Sequence, residues 1–191
     1  MTSVYLAPWR VDVTLRDAVL DAHGGRRPIA IAVLARAIAA ALDAAGAPAP
    51  ASIGLILSDD PELADLNETH LGQEGPTDVL SFPLLPPEAY PPHPSDPDRN
   101  EAPRPGNAAF FSGRPGQRIH LGDIVVSVER AEEQAGQGHG GQTGDVRWST
   151  AHELLLLVTH GALHVCGWDH ADQAEEGEMR ALEQRLLAQG G

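Results

Sequence analysis

The stretch from Leu154 to His170 constrains the fold more than any other part of the chain. It begins with five apolar residues (154–158), passes through His160 and His164, reaches Gly167 and ends at His170. Just ahead of it, Thr150-Ala151-His152-Glu153 has the spacing of a capping box, which predicts a helix start immediately before Leu154. A helix this apolar belongs in the interior, so side chains near its end hang from a rigid element. Four residues along a helix return to nearly the same face with a rise of about 6 Å, so the imidazoles of His160 and His164 can reach one ion. Gly167 is the residue type that ends such a helix in a left-handed cap, and the turn brings His170 round as a third ligand. Three histidines leave one tetrahedral position for water, the pattern of a catalytic zinc site rather than a closed structural one. Three of the chain's nine histidines fall in this short segment, which makes coincidence a poor explanation. Imidazole also suits nickel, copper and iron, so ligand type favours zinc without excluding them.

The histidines and Gly167 match the zinc-protease pattern H-E-x-x-H-x-x-G-x-x-H, except that Gly161 stands where the glutamate base belongs. Peptide hydrolysis by that route is therefore not expected. His152 and Glu153 do not restore the pattern, because the residue four positions after His152 is Leu156. The expected nucleophile is a water made acidic by the ion, with no side chain assigned as a catalytic base. Phosphodiesters suit such a site, since a non-bridging oxygen can bind the metal. Asp169, beside His170, is a candidate either for orienting a ligand from behind or for capping the last helix. Helix phase points Cys166 into the core as a small hydrophobe.

The remaining pattern is that of an α+β domain. Val11, Val13 and Leu15 alternate with polar residues and predict a strand. Pro28 opens a helix carrying Ile31, Leu34, Ile38 and Leu42 inward, closed by Gly46 and Pro48. Ile53 to Leu57 reads as a buried strand. Asp60 is placed to cap a short helix with Pro61 at its first position, Leu63 and Leu66 inside, and a stop near Gly72. Thr77 to Phe82 predicts a strand ended by Pro83. From about Leu84 to Arg118 prolines recur with little to pack, which predicts a long surface insertion, Phe110 and Phe111 excepted as a pair able to anchor it. Ile124 to Val126 is a strand, Ser127 can cap a helix through Ala135, and Gly136 to Gly144 reads as loose. Asp172 to Glu175 repeats the capping spacing before a last helix with Met179, Leu182 and Leu186 inward. No internal repeat is visible, and the interleaved elements predict one domain over 1–191 with a small mixed sheet flanked by helices.

Composition narrows the classes. The chain has 191 residues, 42% of them hydrophobic and 21% charged, enough for one ordinary core. No apolar run approaches the roughly 20 residues that span a bilayer, so no membrane partner is expected. Met1 to Leu15 lacks the pattern of a secretory signal, and the single cysteine forms no internal disulfide, so the expected compartment is the cytoplasm. The formal net charge is −14, and all 13 basic residues are arginine. Taken alone, that balance repels a phosphate backbone at long range.

Three blocks carry a resemblance to a known family. The histidine segment, His160-Gly161-Ala162-Leu163-His164-Val165-Cys166-Gly167-Trp168-Asp169-His170, resembles the signature of the YbeY family. Pro76-Thr77-Asp78-Val79-Leu80-Ser81-Phe82-Pro83 resembles its central strand motif, and Leu121-Gly122-Asp123-Ile124-Val125-Val126-Ser127 the strand and helix start that follow. The resemblance covers the chain from about Leu66 onward. It implies a zinc-dependent endoribonuclease that cuts single-stranded RNA in rRNA maturation, especially at the small-subunit rRNA 3′ end, with one zinc on His160, His164 and His170. Its partners would be rRNA and the small ribosomal subunit, and its role ribosome biogenesis.

Two departures stand out. The family's aromatic followed by arginine is replaced here by His70 and Leu71, and the insertion at about 84–118 exceeds the usual connection. Arg118 or Arg147 is a candidate to replace the lost phosphate contact. The leucine and the acidic charge also motivate a second function, a ribosome-associated assembly factor whose zinc is mainly structural. Hydrolysis of a small ester or amide is a third, disfavoured because no base or nucleophile–base pair stands out.

Overall fold

The computed structural model describes residues 1–91, 118–137, 148–169 and 173–189. They form five strands, β1 (Thr2–Leu6), β2 (Trp9–Leu15), β3 (Ala51–Ser58), β4 (Val79–Pro83) and β5 (Ile119–Ser127). Six α-helices accompany them: α1 (Asp17–Ala22), α2 (Ile31–Ala44), α3 (Asp60–Leu71), α4 (Val128–Gln137), α5 (Thr150–Val165) and α6 (Gln173–Gln189). The strands make one sheet in the order β1-β2-β3-β5-β4. Strands β2, β3 and β5 are parallel, and β1 and β4 pair antiparallel at the two edges. This is the small mixed sheet of an α+β domain that the pattern predicts.

Alternation along the strands sends successive side chains to opposite faces. On one face Val11, Val13, Ile53, Leu55, Leu57, Ile124 and Val126 join Leu34, Ile38 and Leu42 of α2 and Leu154, Val158 and Leu163 of α5 in a single core cluster. Each such side chain stabilises the fold by about 1.5–3 kcal/mol through burial. Met179 and Leu182 of α6 are buried in the same cluster, with Leu186 packed at its margin. The other face is thinner. Leu80 and Val125 are register partners and buried, as is Leu63 of α3, but none belongs to the main cluster. They lie on the far side of the sheet, which α3 covers at β4 and β5.

Several predicted boundaries move, each for a tertiary reason. α2 begins at Ile31 rather than Pro28, because the apolar stripe begins there and Ala30 is extended (φ −68°, ψ 124°). The cap of α3 is Asp59, whose carboxylate accepts from the Glu62 amide. Asp60 is instead the first helical residue, accepting from Ser127 Oγ at 2.6 Å and pairing with Arg130. Leu66 is only half-buried, and Asn67 takes the buried place beside Leu63, donating to the Gly75 carbonyl at 2.8 Å. Strand β4 starts at Val79, not Thr77, since the Asp78 carboxylate folds back to accept from the Val79 amide and from Gln134 of α4. The cap of α5 is Ser149, which accepts from the His152 amide, so Thr150 is already helical and Glu153 is buried. Ser127 caps α4 as expected, accepting from the Arg130 amide.

The proline-rich insertion is not wholly without packing. Pro87–Ala89 form a 3-10 turn, and Ala89 and Tyr90 are buried in the core cluster. Phe110, Phe111, Arg147 and most of the segment Gly136 to Gly144 lie outside the described residues. Strand β1 and helix α1 are additional to the elements that the sequence pattern predicts. Among the described residues no helix is long and apolar enough to cross a membrane.

Candidate functional site

Helix α5 carries His160 and His164 on one face, one turn apart. Their Nε2 atoms approach to 3.0 Å, with ring centroids 4.5 Å apart and planes at 81°. Two tetrahedral imidazole ligands at ordinary zinc distances place their nitrogens about 3.3 Å apart, so this spacing fits two rings aimed at one point. The opposite nitrogen of His160, Nδ1, lies 2.7 Å from Oε1 of Glu183 on α6. A carboxylate only accepts, so Nδ1 is the donor and, in the neutral ring, the Nε2 lone pair faces His164. The His160 side chain is 28% exposed and that of Glu183 9%, so the carboxylate is the more deeply buried partner of this contact.

Glycine at 161 has a steric cause. A Cβ built there would sit 2.7 Å from Ile124 Cγ2 and 3.2 Å from both Val79 Cγ2 and Ser81 Oγ. The helix meets the sheet at this residue, and Ser81 Oγ donates to the Gly161 carbonyl at 3.0 Å. A glutamate in this place would point into the core against β4 and β5. The missing protease base is thus excluded by packing, in agreement with the expectation drawn from the motif. At the far end, Gly167 adopts φ 82°, the left-handed turn expected of it. Pro87 and Tyr90 pack against that turn, so the start of the proline-rich segment buttresses the end of the histidine helix.

Cys166 is 2% exposed and belongs to the core cluster, and burial pushes its thiol up to about 12. It is therefore an apolar filler, as helix phase predicted. His170, the third expected ligand, lies outside the described residues. Among the described residues no group of three or more His, Cys, Asp or Glu side chains is arranged to hold a metal ion. Asp169 is exposed and stands four positions before the first residue of α6. Leu71 is 59% exposed at the end of α3, and the neighbouring His70 ring meets Phe82 edge-on at 5.1 Å. The Arg118 guanidinium donates to the Pro8 carbonyl at 2.5 Å and lies over the Tyr5 ring.

Glu183 is the site residue that the motif reading missed. Its signal was present in the pattern, because residue 183 lies on the same helical stripe as Met179, Leu182 and Leu186. A carboxylate on an otherwise apolar stripe requires a partner, and the partner is His160.

The sequence profile of the family described as Endoribonuclease YbeY matches residues 27–191. The endoribonuclease YbeY of Synechococcus sp. (strain CC9605) is 41% identical over 140 residues, covering 73% of this chain and 66% of that protein. That of Mycolicibacterium smegmatis is 40% identical over 140 residues, covering 72% and 62% respectively. For the Salinispora tropica protein the figures are 42% over 150 residues, 78% and 80%. The match thus takes in just under two thirds of the length of the first two relatives and more of the third. A single α+β domain whose buried helix presents a converging histidine pair defines the structural class, and the chain belongs to the YbeY family.

Proposed function

We propose that the protein is a zinc-dependent endoribonuclease that cuts single-stranded RNA and serves in rRNA maturation at the 3′ end of the small-subunit rRNA. The observation that carries this reading is the 3.0 Å approach of the His160 and His164 Nε2 atoms on a helix fixed in the core. Membership of a family named for endoribonuclease activity supports the substrate class. His160, His164 and His170 are the residues that would hold one zinc ion, with Asp169 a candidate either to orient one of them or to cap the last helix. The donor set fits, being imidazole nitrogen with a carboxylate behind one ring. A zinc ion held there supplies Lewis acidity toward a phosphodiester and acidifies a water in its open position.

The protein's own part is to hold the ring nitrogens and to keep competing groups away. Glycine at 161 lets the histidine helix close onto β4 and β5, and Cys166 is buried away as a protonated thiol. The proposed setting is the cytoplasm, with rRNA and the small ribosomal subunit as partners. Exposed Leu71 and the net charge of −14 favour a second reading, an assembly factor with a mainly structural zinc.

The two readings separate in one assay. Purified protein, stripped with a chelator and resupplied with zinc, is expected to cleave a single-stranded RNA, and its His160→Ala and His164→Ala forms are not. Binding to small ribosomal particles with no metal-dependent turnover would favour the assembly role. Equal cleavage by all three proteins would refute the nuclease reading.

A further inference from the structure

The inward stripe of α6 runs through Met179, Leu182 and Leu186, and Glu183 lies within it. Burying a carboxylate costs several kcal/mol unless a partner compensates, and a leucine would pack the same place without that cost. The Glu183 side chain is 9% exposed, and its Oε1 is 2.7 Å from His160 Nδ1, on a helix 23 residues earlier in the chain. An imidazole carries its proton on whichever nitrogen has an acceptor, and the other nitrogen is then free to bind a cation. Here the acceptor is on the side facing α6, and the nitrogen left without a proton is the one that faces His164.

We propose that Glu183 is a positioning residue for the metal centre. It holds the His160 ring in one orientation and one tautomer, so that Nε2 presents its lone pair where an ion would sit. This inference rests on the metal-centre reading above. It also explains why α6 docks on α5 with a carboxylate in its apolar stripe: the last helix braces the first ligand.

The test uses the full chain with Glu183→Gln and Glu183→Met, the second similar in size but unable to accept strongly. Zinc affinity is measured by competition with a chromogenic chelator. Thermal unfolding of the zinc-free proteins reports on the fold, and nitrogen-15 chemical shifts of His160 at alkaline pH report on its tautomer. We expect zinc binding about 10–100-fold weaker in Glu183→Met and a smaller loss in Glu183→Gln, which keeps an acceptor oxygen. The His160 proton should reside on Nδ1 in the wild type and be shared between the nitrogens in Glu183→Met, with zinc-free unfolding midpoints close to one another.

Folded variants with wild-type zinc affinity and tautomer would overturn the proposal while leaving the metal centre standing. A wild type that fails to bind zinc would overturn both. Should Glu183→Met not fold, Glu183→Gln decides alone: unchanged affinity in that folded variant rejects the role.

Discussion

The two faces of the sheet each carry a histidine joined to a carboxylate, and they are built differently. On the covered face His160 meets Glu183 at 2.7 Å, with the carboxylate buried between α5 and α6. On the other face His120 of β5 joins Ser52 Oγ of β3 through Nδ1 and Asp123 through Nε2, both at 3.2 Å. The side chains of His120 and Asp123 are 39% and 44% exposed, so water competes for the contact between them. A Ser–His–Asp sequence of contacts is superficially the more suggestive of catalysis. Yet Ser52 is 3% exposed at the inner end of the chain, out of reach of a substrate. The difference lies in support: His160 hangs from a helix packed in the core, whereas His120 and Asp123 stand half-exposed at the surface.

Substitution of the histidines should break this comparison most sharply. His160→Ala and His164→Ala are expected to lower RNA cleavage by at least about 100-fold, since on the proposed reading each would remove a metal ligand rather than its support. His120→Ala should leave the rate within about two-fold. A large loss from His120→Ala, read by the same cleavage assay, would reverse the assignment of the two faces.

The glycines opposite these sites give the next effect in size. Gly161 and Gly54 both lack room for a Cβ, and the shorter contact, 2.0 Å to Asp123 Oδ1, is at Gly54. The obstructing atom there is the end of a half-exposed carboxylate that can swing away. At Gly161 the obstruction is Ile124 and Val79 in the packed core. Gly161→Ala should therefore cost about 1–3 kcal/mol despite alanine's better helix propensity. Gly54→Ala should cost under about 1 kcal/mol. Denaturant midpoints at constant slope decide between them, and an equal loss at both would contradict the packing argument.

Smaller still is the effect of removing the polar chain on the open face. Ser52→Ala should cost about 0.5–1.5 kcal/mol, the net worth of a partly solvated hydrogen bond, with no change in zinc affinity. The smallest effect is electrostatic. The hydrogen bond to Glu132, helped by the Val19 carbonyl, raises the His23 pKa above its ordinary value. A raised folded-state value means that the stabilisation is complete below the unfolded pKa of about 6.5 and disappears as pH climbs through the folded value. The pair is exposed, so its worth is at most about 0.5 kcal/mol. The stability gap between wild type and His23→Ala should be wider at pH 5.5 than at pH 9; a gap that widened with pH would reject the contact.

Much of this arrangement was legible in residues alone. Strand β3, helix α2 from Ile31 onward and the end of α5 at Gly167 follow from apolar period and glycine placement. The edges were not. Strand β1 is largely exposed on both sides and α1 buries only Val19, so neither shows a strong period. Caps shifted by one residue wherever adjacent candidates compete, as at Asp59 against Asp60 and Ser149 against Thr150. Asp60 is drawn away by Ser127 and Arg130 of α4, a contact no local pattern contains. The histidine pair was readable because both members lie on one helix. Glu183 shows in sequence only as a carboxylate on an apolar stripe, because its partner is 23 positions away on another helix.

X-ray absorption of the zinc-loaded protein tests the central claim most directly, namely that ring nitrogens of α5 hold the ion with a position left open. The expected spectrum shows a nitrogen and oxygen shell at about 2.0–2.1 Å with imidazole scattering from three rings and no sulfur. It should lose one imidazole in His164→Ala. A sulfur shell near about 2.3 Å, or imidazole scattering unchanged by that substitution, would contradict the account.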